Sequence, residues 1–283
     1  MKNILFPTDF SKNSWNAIEY AITLLKDIPC NFYVLHVDAL SQSGIEYNSF
    51  ALPSDVMPSK PINLAPKDNL ADTVARIKTI TTNKEHHFIA LHEFGNIIDV
   101  IRKTVLDKKI SLIVMGTKGA SGIKGTILGS NTGNVMTKVP CNLLVIPEKA
   151  AQCVPKEIAF PTDYNIFYSH SILEVISKML RITNAKLRVV NISKPNVKLN
   201  EAQKQNMIYL QDYLLELHEK SHSIHNLKVE RTKTAIEEFV INEKIDMVIM
   251  VAKNLNFLQQ LLFRPSIKKI SFQNSVPLLV LHE

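Results

Sequence analysis

The chain has 283 residues, 46% of them hydrophobic and 21% charged, which allows one large or two small cores. Its mean hydropathy is +0.02, and no run reaches the roughly eighteen apolar residues that a membrane helix needs, so a membrane span is excluded. The net charge of +7 is dispersed: residues 1–148 carry 15 basic against 13 acidic side chains and residues 149–283 carry 18 against 13, with no basic block that would point to nucleic acid.

The opening MKNILFPTDF meets a proline and an acid too early for a signal peptide, so a cytoplasmic protein is expected. KNILFPTD reads as a short apolar strand. Residues 11–27 read as a helix, with Trp15, Ile18, Ala21, Ile22 and Leu25 at helical spacing. NFYVLHV is a second strand, followed by a Pro- and Ser-containing stretch, 39–66, long enough to form a lid. Then come a helix (67–83), the strand FIALHE, a helix (96–108), the strand SLIVMG, a glycine-rich loop, a short helix near 131–138 and the strand NLLVIP. His86, His87 and His92 read as strand-entry residues. Strands with continuous apolar runs, joined by helices, predict an α/β fold with a parallel sheet covered on both faces, and right-handed crossovers make it an open, doubly wound sheet.

The chain then repeats itself. ILFPTDFSKNSWNAIEYAITLL returns as IAFPTDYNIFYSHSILEVISKML, the tetrapeptide FPTD recurring at 6 and 160, and KVPCNLLVIPE echoes in SVPLLVLHE. Two tandem domains are expected, 1–148 and 154–283, joined near PEKAAQCVPKE. The second half supplies the strands KEIAFPT, KLRVVNI, LKVERTK, DMVIMV and PLLVLH and a long helix over roughly 200–222. Cys30, Cys141 and Cys153 are an odd number without CxxC spacing, so neither a disulfide framework nor a zinc knuckle is indicated.

All eight glycines lie in the first half, five of them within MGTKGASGIKGTILGSN, residues 115–131. SLIVMG delivers this loop to the carboxyl edge of the sheet, where ligands of open α/β sheets sit. Glycines let consecutive N–H groups turn toward one anion, and GSNTG enters a helix with Ser130 or Asn131 as the expected cap, an arrangement suited to phosphate. Lys118 and Lys124 could neutralise phosphate charge or stay solvated. Neither the Walker spacing nor the G-x-G-x-x-G dinucleotide fingerprint is present.

Gly116-x-x-Gly119, nine further residues and Gly129-Ser130, with FPTDFS ending the first strand and LHV ending the second, resemble the nucleotide-binding branch of the universal stress protein family. The resemblance implies a sheet of order 3-2-1-4-5 in each half and an ATP site, with ADP or AMP as substitutes and magnesium accompanying the triphosphate. By that similarity Pro7, Thr8 and Asp9 lie against the adenosine, Val37 meets adenine through its backbone, Met115 and Gly116 line the ribose side, and Gly119, Gly129, Ser130 and Asn131 surround the phosphates. Asp9 could equally cap the helix starting near Ser11.

In the second half the corresponding loop is MVAKNLNFLQQLLFRPSIKK, bulky throughout, so only the first half is expected to bind nucleotide, and Asp163 is expected to be structural. Members of the family usually pair through their last strands; a tandem chain can make that pairing internally, through NLLVIP and PLLVLH, and a homodimer is compatible with it. No nucleophile, general base or carboxylate pair is evident near the loop, so turnover is at most slow. The leading expectation is therefore a nucleotide-responsive stress or regulatory binding protein. The alternatives are a slow ATP hydrolase or nucleotidyl transferase and a purely structural, pseudo-dimeric module. Separately, HEKSH fits the H-E-x-x-H pattern, in which His218 and His222, one helical turn apart and with His225 nearby, could hold zinc; a solvated helix face is the simpler account.

Overall fold

The structure, a computed structural model, describes residues 1–38, 65–117, 128–193, 195–218, 221–228, 232–253 and 275–283. The first half supplies β1 (Lys2–Pro7), α1 (Lys12–Leu24), β2 (Cys30–Asp38), α2 (Ala65–Ile80), β3 (His86–Phe94), α3 (Ile97–Asp107), β4 (Leu112–Gly116), α4 (Ser130–Lys138) and β5 (Leu143–Ile146). The second supplies β6 (Glu157–Thr162), α5 (His170–Thr183), β7 (Lys186–Ser193), α6 (Glu201–His218), β8 (His222–Lys228), α7 (Thr232–Asn242), β9 (Met247–Val251) and β10 (Leu278–Leu281).

Local chemistry fixes the helix starts. Ser11 caps α1 by accepting from the Ser14 N–H, and Asn96 caps α3 by accepting from Ile98 and Asp99. At the far end of α5, Asn184 takes a left-handed conformation, φ 52°, which an asparagine tolerates and which stops the helix.

The strands form one ten-stranded sheet, β3-β2-β1-β4-β5-β10-β9-β6-β7-β8. Each half has the 3-2-1-4-5 order that the resemblance implied, all of its strands parallel. The seam is the antiparallel pairing of β5 with β10, where Leu278, Leu279 and Val280 face Val145, Leu144 and Leu143. The two last strands therefore pair within the chain. Both are wholly buried, so their apolar residues, exposed liabilities on an open edge, become interior.

Strand alternation sorts the core into two layers. On one face Phe6, Phe32, Val34, Leu144, Phe160, Val189 and Leu279 pack with α1, α2, α5 and α6; on the other Leu5, Ile113, Val145, Val190, Val248 and Val280 pack with α3, α4 and α7. Both layers run across the seam. Among the described residues no helix is long and apolar enough to cross a membrane.

One part of the second half differs from expectation. α6 ends at His218 and the third strand is HSIHNLK, His222–Lys228, instead of LKVERTK. Among the described residues this strand is the outer edge of the sheet, paired with β7, and its residues are half-buried or exposed. An edge strand packed on one flank can be polar, so it shows no apolar run to betray it. His92 also departs from its reading as a strand-entry residue: His86 and His87 open β3, but His92 lies near its end.

Leu279 is 1% exposed and faces Leu144 across the seam. Leu279→Ala is expected to cost about 2–5 kcal/mol in chemical denaturation, the usual range for emptying a buried leucine site.

Candidate functional site

β1 is central in its half, flanked by β2 and β4. It stays paired with β2 to Pro7↔Leu35, but with β4 only at Ile4↔Leu112 and Leu5↔Ile113. Beyond Leu5 the two strands part. This is where the crossovers change direction, and it opens a crevice at the carboxyl edge. Pro7, which lacks an N–H, lies beyond the last β1–β4 pair and leaves no donor missing on that flank.

The turn after β1 is tightly determined. Thr8 N donates to Leu35 O at 2.8 Å, and the Thr8 hydroxyl lies 3.1 Å from the Ser14 hydroxyl and accepts from Phe10 N at 3.0 Å. Asp9 Oδ1 accepts from Ser11 N at 3.1 Å, so Asp9 orders the turn while Ser11 is the actual cap of α1. Phe10 is left-handed, φ 62°, a costly conformation for an aromatic residue that these bonds hold in place.

β4 brings Met115 and Gly116 to the same edge. The Met115 side chain is buried in the layer under α3 and α4, which leaves its backbone for any ligand. Gly116 is required by packing: a Cβ there would stand 2.9 Å from the Asn13 carbonyl oxygen in the first turn of α1. α4 is then fastened to β4, with Gly129 N donating to Thr117 O at 2.6 Å and the Thr132 hydroxyl to Gly116 O at 2.8 Å. The cap of α4 is Gly129 and not Ser130 or Asn131; anchoring Thr132 brings the helix start one residue forward. A glycine cap supplies no side-chain acceptor, and Ser130 and Asn131 are exposed in the first turn.

Pro7, Thr8, Asp9, Met115, Gly116, Gly129, Ser130 and Asn131 are thus assembled at one edge. Val37 lies at the same edge one strand away, near the end of β2 and opposite Glu93 of β3. Gly119, Lys118 and Lys124, the 39–64 part of the long connection and residues 254–269 of the bulky second-half loop lie outside the described residues.

Two features were not anticipated. A cavity of about 240 Å³ opens between α1 and α2, lined by Thr8, Phe10, Ser14, Trp15, Asp72 and Arg76 among others, with the Arg76 guanidinium 3.5 Å above the Trp15 ring. Of the expected nucleotide residues it includes only Thr8. Beside it, Asp38 bridges two histidines: His92 Nε2 donates to Oδ2 at 2.7 Å and His36 Nε2 lies 3.3 Å from Oδ1. His36 Nδ1 lies 2.8 Å from the Thr8 carbonyl oxygen, and the Phe10 ring packs on His36 with centroids 4.5 Å apart. The sequence clue is H-x-D at the carboxyl end of β2, a spacing that puts both side chains on one face.

The second half builds the same turn and closes it. Thr162 Oγ1 accepts from Tyr164 N at 2.9 Å, Asp163 Oδ1 accepts from Asn165 N at 3.0 Å, and Tyr164 repeats the left-handed backbone, φ 58°. Here Tyr164 and Tyr168 are wholly buried, Tyr168 bonding Thr162 through their hydroxyls. α6 lies over the turn, Gln203 Nε2 donating to Asp163 O at 2.8 Å and Asn206 Nδ2 to Tyr164 O at 2.9 Å. Burial pushes the Tyr164 hydroxyl up to about 12.

His218 and His222 do not share a helix face: one ends α6 and the other begins β8. Arg181 donates to the Ser177 hydroxyl at 2.9 Å, that hydroxyl lies 2.7 Å from His218 Nε2, and His222 Nδ1 lies 2.8 Å from the His218 carbonyl oxygen. Burial first and then the Arg181 charge hold His218 below the ordinary histidine range. Among the described residues no three His, Cys, Asp or Glu side chains are placed to hold a metal.

The model of the universal stress protein family matches residues 1–147. A universal stress protein of Methanocaldococcus jannaschii is 27% identical over 154 residues, 51% of this chain and 81% of that one. Among solved structures, a universal stress protein from Archaeoglobus fulgidus superposes over 99% of this chain and 96% of its own with a TM-score of 0.70 at 17% identity. A protein described as a universal stress protein from Pseudomonas aeruginosa covers 99% of this chain and 93% of its own, with a TM-score of 0.58 at 11% identity. At these identities the structural likeness concerns the fold.

Two outcomes are expected from this geometry. Gly116→Ala should cost about 1–3 kcal/mol in thermal or chemical unfolding, because its Cβ meets backbone that cannot move without shifting α1, whereas Gly129→Ala should cost about 1 kcal/mol or less. The hydrogen bond from His92, opposed by burial and aided by His36, holds the Asp38 carboxyl below its usual range. The folded chain therefore binds that proton less readily than the unfolded one. The resulting stabilisation is complete above the ordinary carboxylate range and is lost as pH falls through the lowered folded value. Asp38→Asn should flatten this acid limb in a stability–pH series.

Proposed function

Because the chain belongs to the universal stress protein family, whose model spans residues 1–147, we propose that its first half binds an adenine nucleotide in the β1/β4 crevice and that the chain acts as a nucleotide-responsive binding protein. ATP is the ligand we favour, with ADP or AMP as substitutes and magnesium accompanying the triphosphate. The division into domains 1–148 and 154–283 is part of the same proposal.

The observation that carries the reading is the glycine-capped start of α4, fastened to the end of β4 by Gly129 N to Thr117 O and Thr132 to Gly116 O. The first-turn N–H groups of such a helix suit phosphate, and a cap without a side chain leaves room for close approach. Thr8 and Asp9 would hold the adenosine side, Met115 and Gly116 would offer backbone to the ribose, and Gly129, Ser130 and Asn131 would face the phosphates. The bound triphosphate would supply a hydrolysable, strongly charged group; the chain's own part would be to bind and orient it. In the second half, Gln203 and Asn206 occupy the backbone carbonyls of the matching turn, which supports a single working site.

Thermal unfolding with increasing Mg-ATP tests this, on wild type and Gly129→Val, after mass analysis for carried-through nucleotide. Binding to the native state alone should stabilise wild type by about 2.7 kcal/mol at a hundredfold excess over Kd, and the valine at the helix cap should abolish most of it. No shift, with no nucleotide carried through purification, would leave the chain as a paired structural scaffold.

A further inference from the structure

We infer that His36 is a positioning residue of this nucleotide site, tying the Thr8–Phe10 turn to Asp38 only when both its ring nitrogens are protonated, so that nucleotide affinity is coupled to pH. The inference rests on the proposed nucleotide reading.

A carbonyl oxygen only accepts, so the 2.8 Å contact of His36 Nδ1 with Thr8 O requires a proton on Nδ1. An ionised carboxylate also only accepts, so the contact of His36 Nε2 with Asp38 Oδ1 requires a second proton on Nε2. The set of bonds is complete for the imidazolium. Losing either proton turns one nitrogen's lone pair toward an oxygen and releases either the turn or the carboxylate.

His86 in the same sheet shows the contrast. Its Nε2 faces the carbonyls of Leu25 and Ile28, but its Nδ1 faces the Thr81 hydroxyl, which can donate, so a neutral ring satisfies every partner.

The turn that His36 grips is the one that forms the site. The Thr8 carbonyl, the Thr8 hydroxyl on Phe10 N and the Phe10 ring on His36 make one connected unit. Among the described residues, the elements next to the ring carry the following charged and titratable groups. Its own strand supplies Asp38, β3 supplies His92 with Glu93 on the opposite face, the turn supplies Asp9, and α2 brings Asp72 and Arg76 to the cavity that Phe10 also lines. Asp38 is held from the far side by His92, so it stays in place as a partner for His36.

The duplication provides an internal control. By strand register, His36 and its β3 partner His92 match Asn191 and its β8 partner Asn226, and Asp38 matches Ser193. The closed half thus carries an Asn–Asn amide bond, 3.1 Å, where the open half carries titratable groups.

Titration calorimetry of the full chain with Mg-ATP at pH 6 and pH 8, in buffers of different ionisation heat, reads affinity and proton uptake for wild type, His36→Asn and Asp38→Asn. One linked proton changes affinity by at most about tenfold per pH unit, so the wild-type advantage over His36→Asn should shrink by about threefold or more between pH 6 and 8. The nucleotide's own titration cancels in that ratio. Wild type should take up protons on binding, and both variants should take up fewer. Side-chain nitrogen chemical shifts of His36 in the ligand-free wild type need neither variant nor nucleotide and should show the doubly protonated ring at pH 6. Binding with a constant ratio, or a His36 ring singly protonated throughout this range, would overturn the inference and leave the nucleotide site intact. Absence of binding at both pH values would overturn the nucleotide reading, and this coupling with it.

Discussion

The parting of β1 from β4 after two residue pairs is the constraint on which the site depends. A fully paired parallel sheet has no room at its carboxyl edge, because each strand's backbone groups are taken up by its neighbours. Once β1 leaves β4, the chain must satisfy its exposed backbone by other means. It does so with the Thr8 and Asp9 side chains on one bank and the Thr132 and Gly129 bonds on the other. The left-handed Phe10 and the glycine at 116 follow from that geometry: one lets the turn reverse tightly, the other lets α1 lie against β4.

The second half shows that the same parting does not guarantee an open crevice. β6 leaves β9 after two pairs as well, and the Thr-Asp-aromatic turn is reproduced down to its left-handed residue. What differs is what lies over it. Tyr164 and Tyr168 sink into the core beside Phe160, and α6 reaches across with two amide side chains. Burial of two large aromatic rings stabilises this half in a way that an open site cannot.

Much of this was legible in the sequence, for reasons that particular residues make plain. Strands such as LIVMG and MVIMV are buried on both faces and read as unbroken apolar runs, and the FPTD repeat fixed the correspondence between halves. HSIHNLK escaped because an edge strand need not be apolar, and its loss lengthened the helix before it into HEKSH. The His36–Asp38–His92 cluster was hidden for another reason: it depends on the register of β2 against β3, which spacing along one chain does not reveal. Gly116 was readable as important, but its tightest constraint is the Asn13 backbone.

The antiparallel seam between β5 and β10 sets the direction of everything attached to it. Since each half is internally parallel, reversing direction at the seam points the two carboxyl edges to opposite sides of the sheet. Two identical chains paired in this way would display the same edge twice and could bridge two partners. Here the halves are fused and dissimilar: α6 lies over the turn of the second half, while the matching edge of the first carries the glycine-capped start of α4. The two edges of one chain therefore present different residues, so a pairing that would repeat one edge in two identical chains displays two distinct ones here.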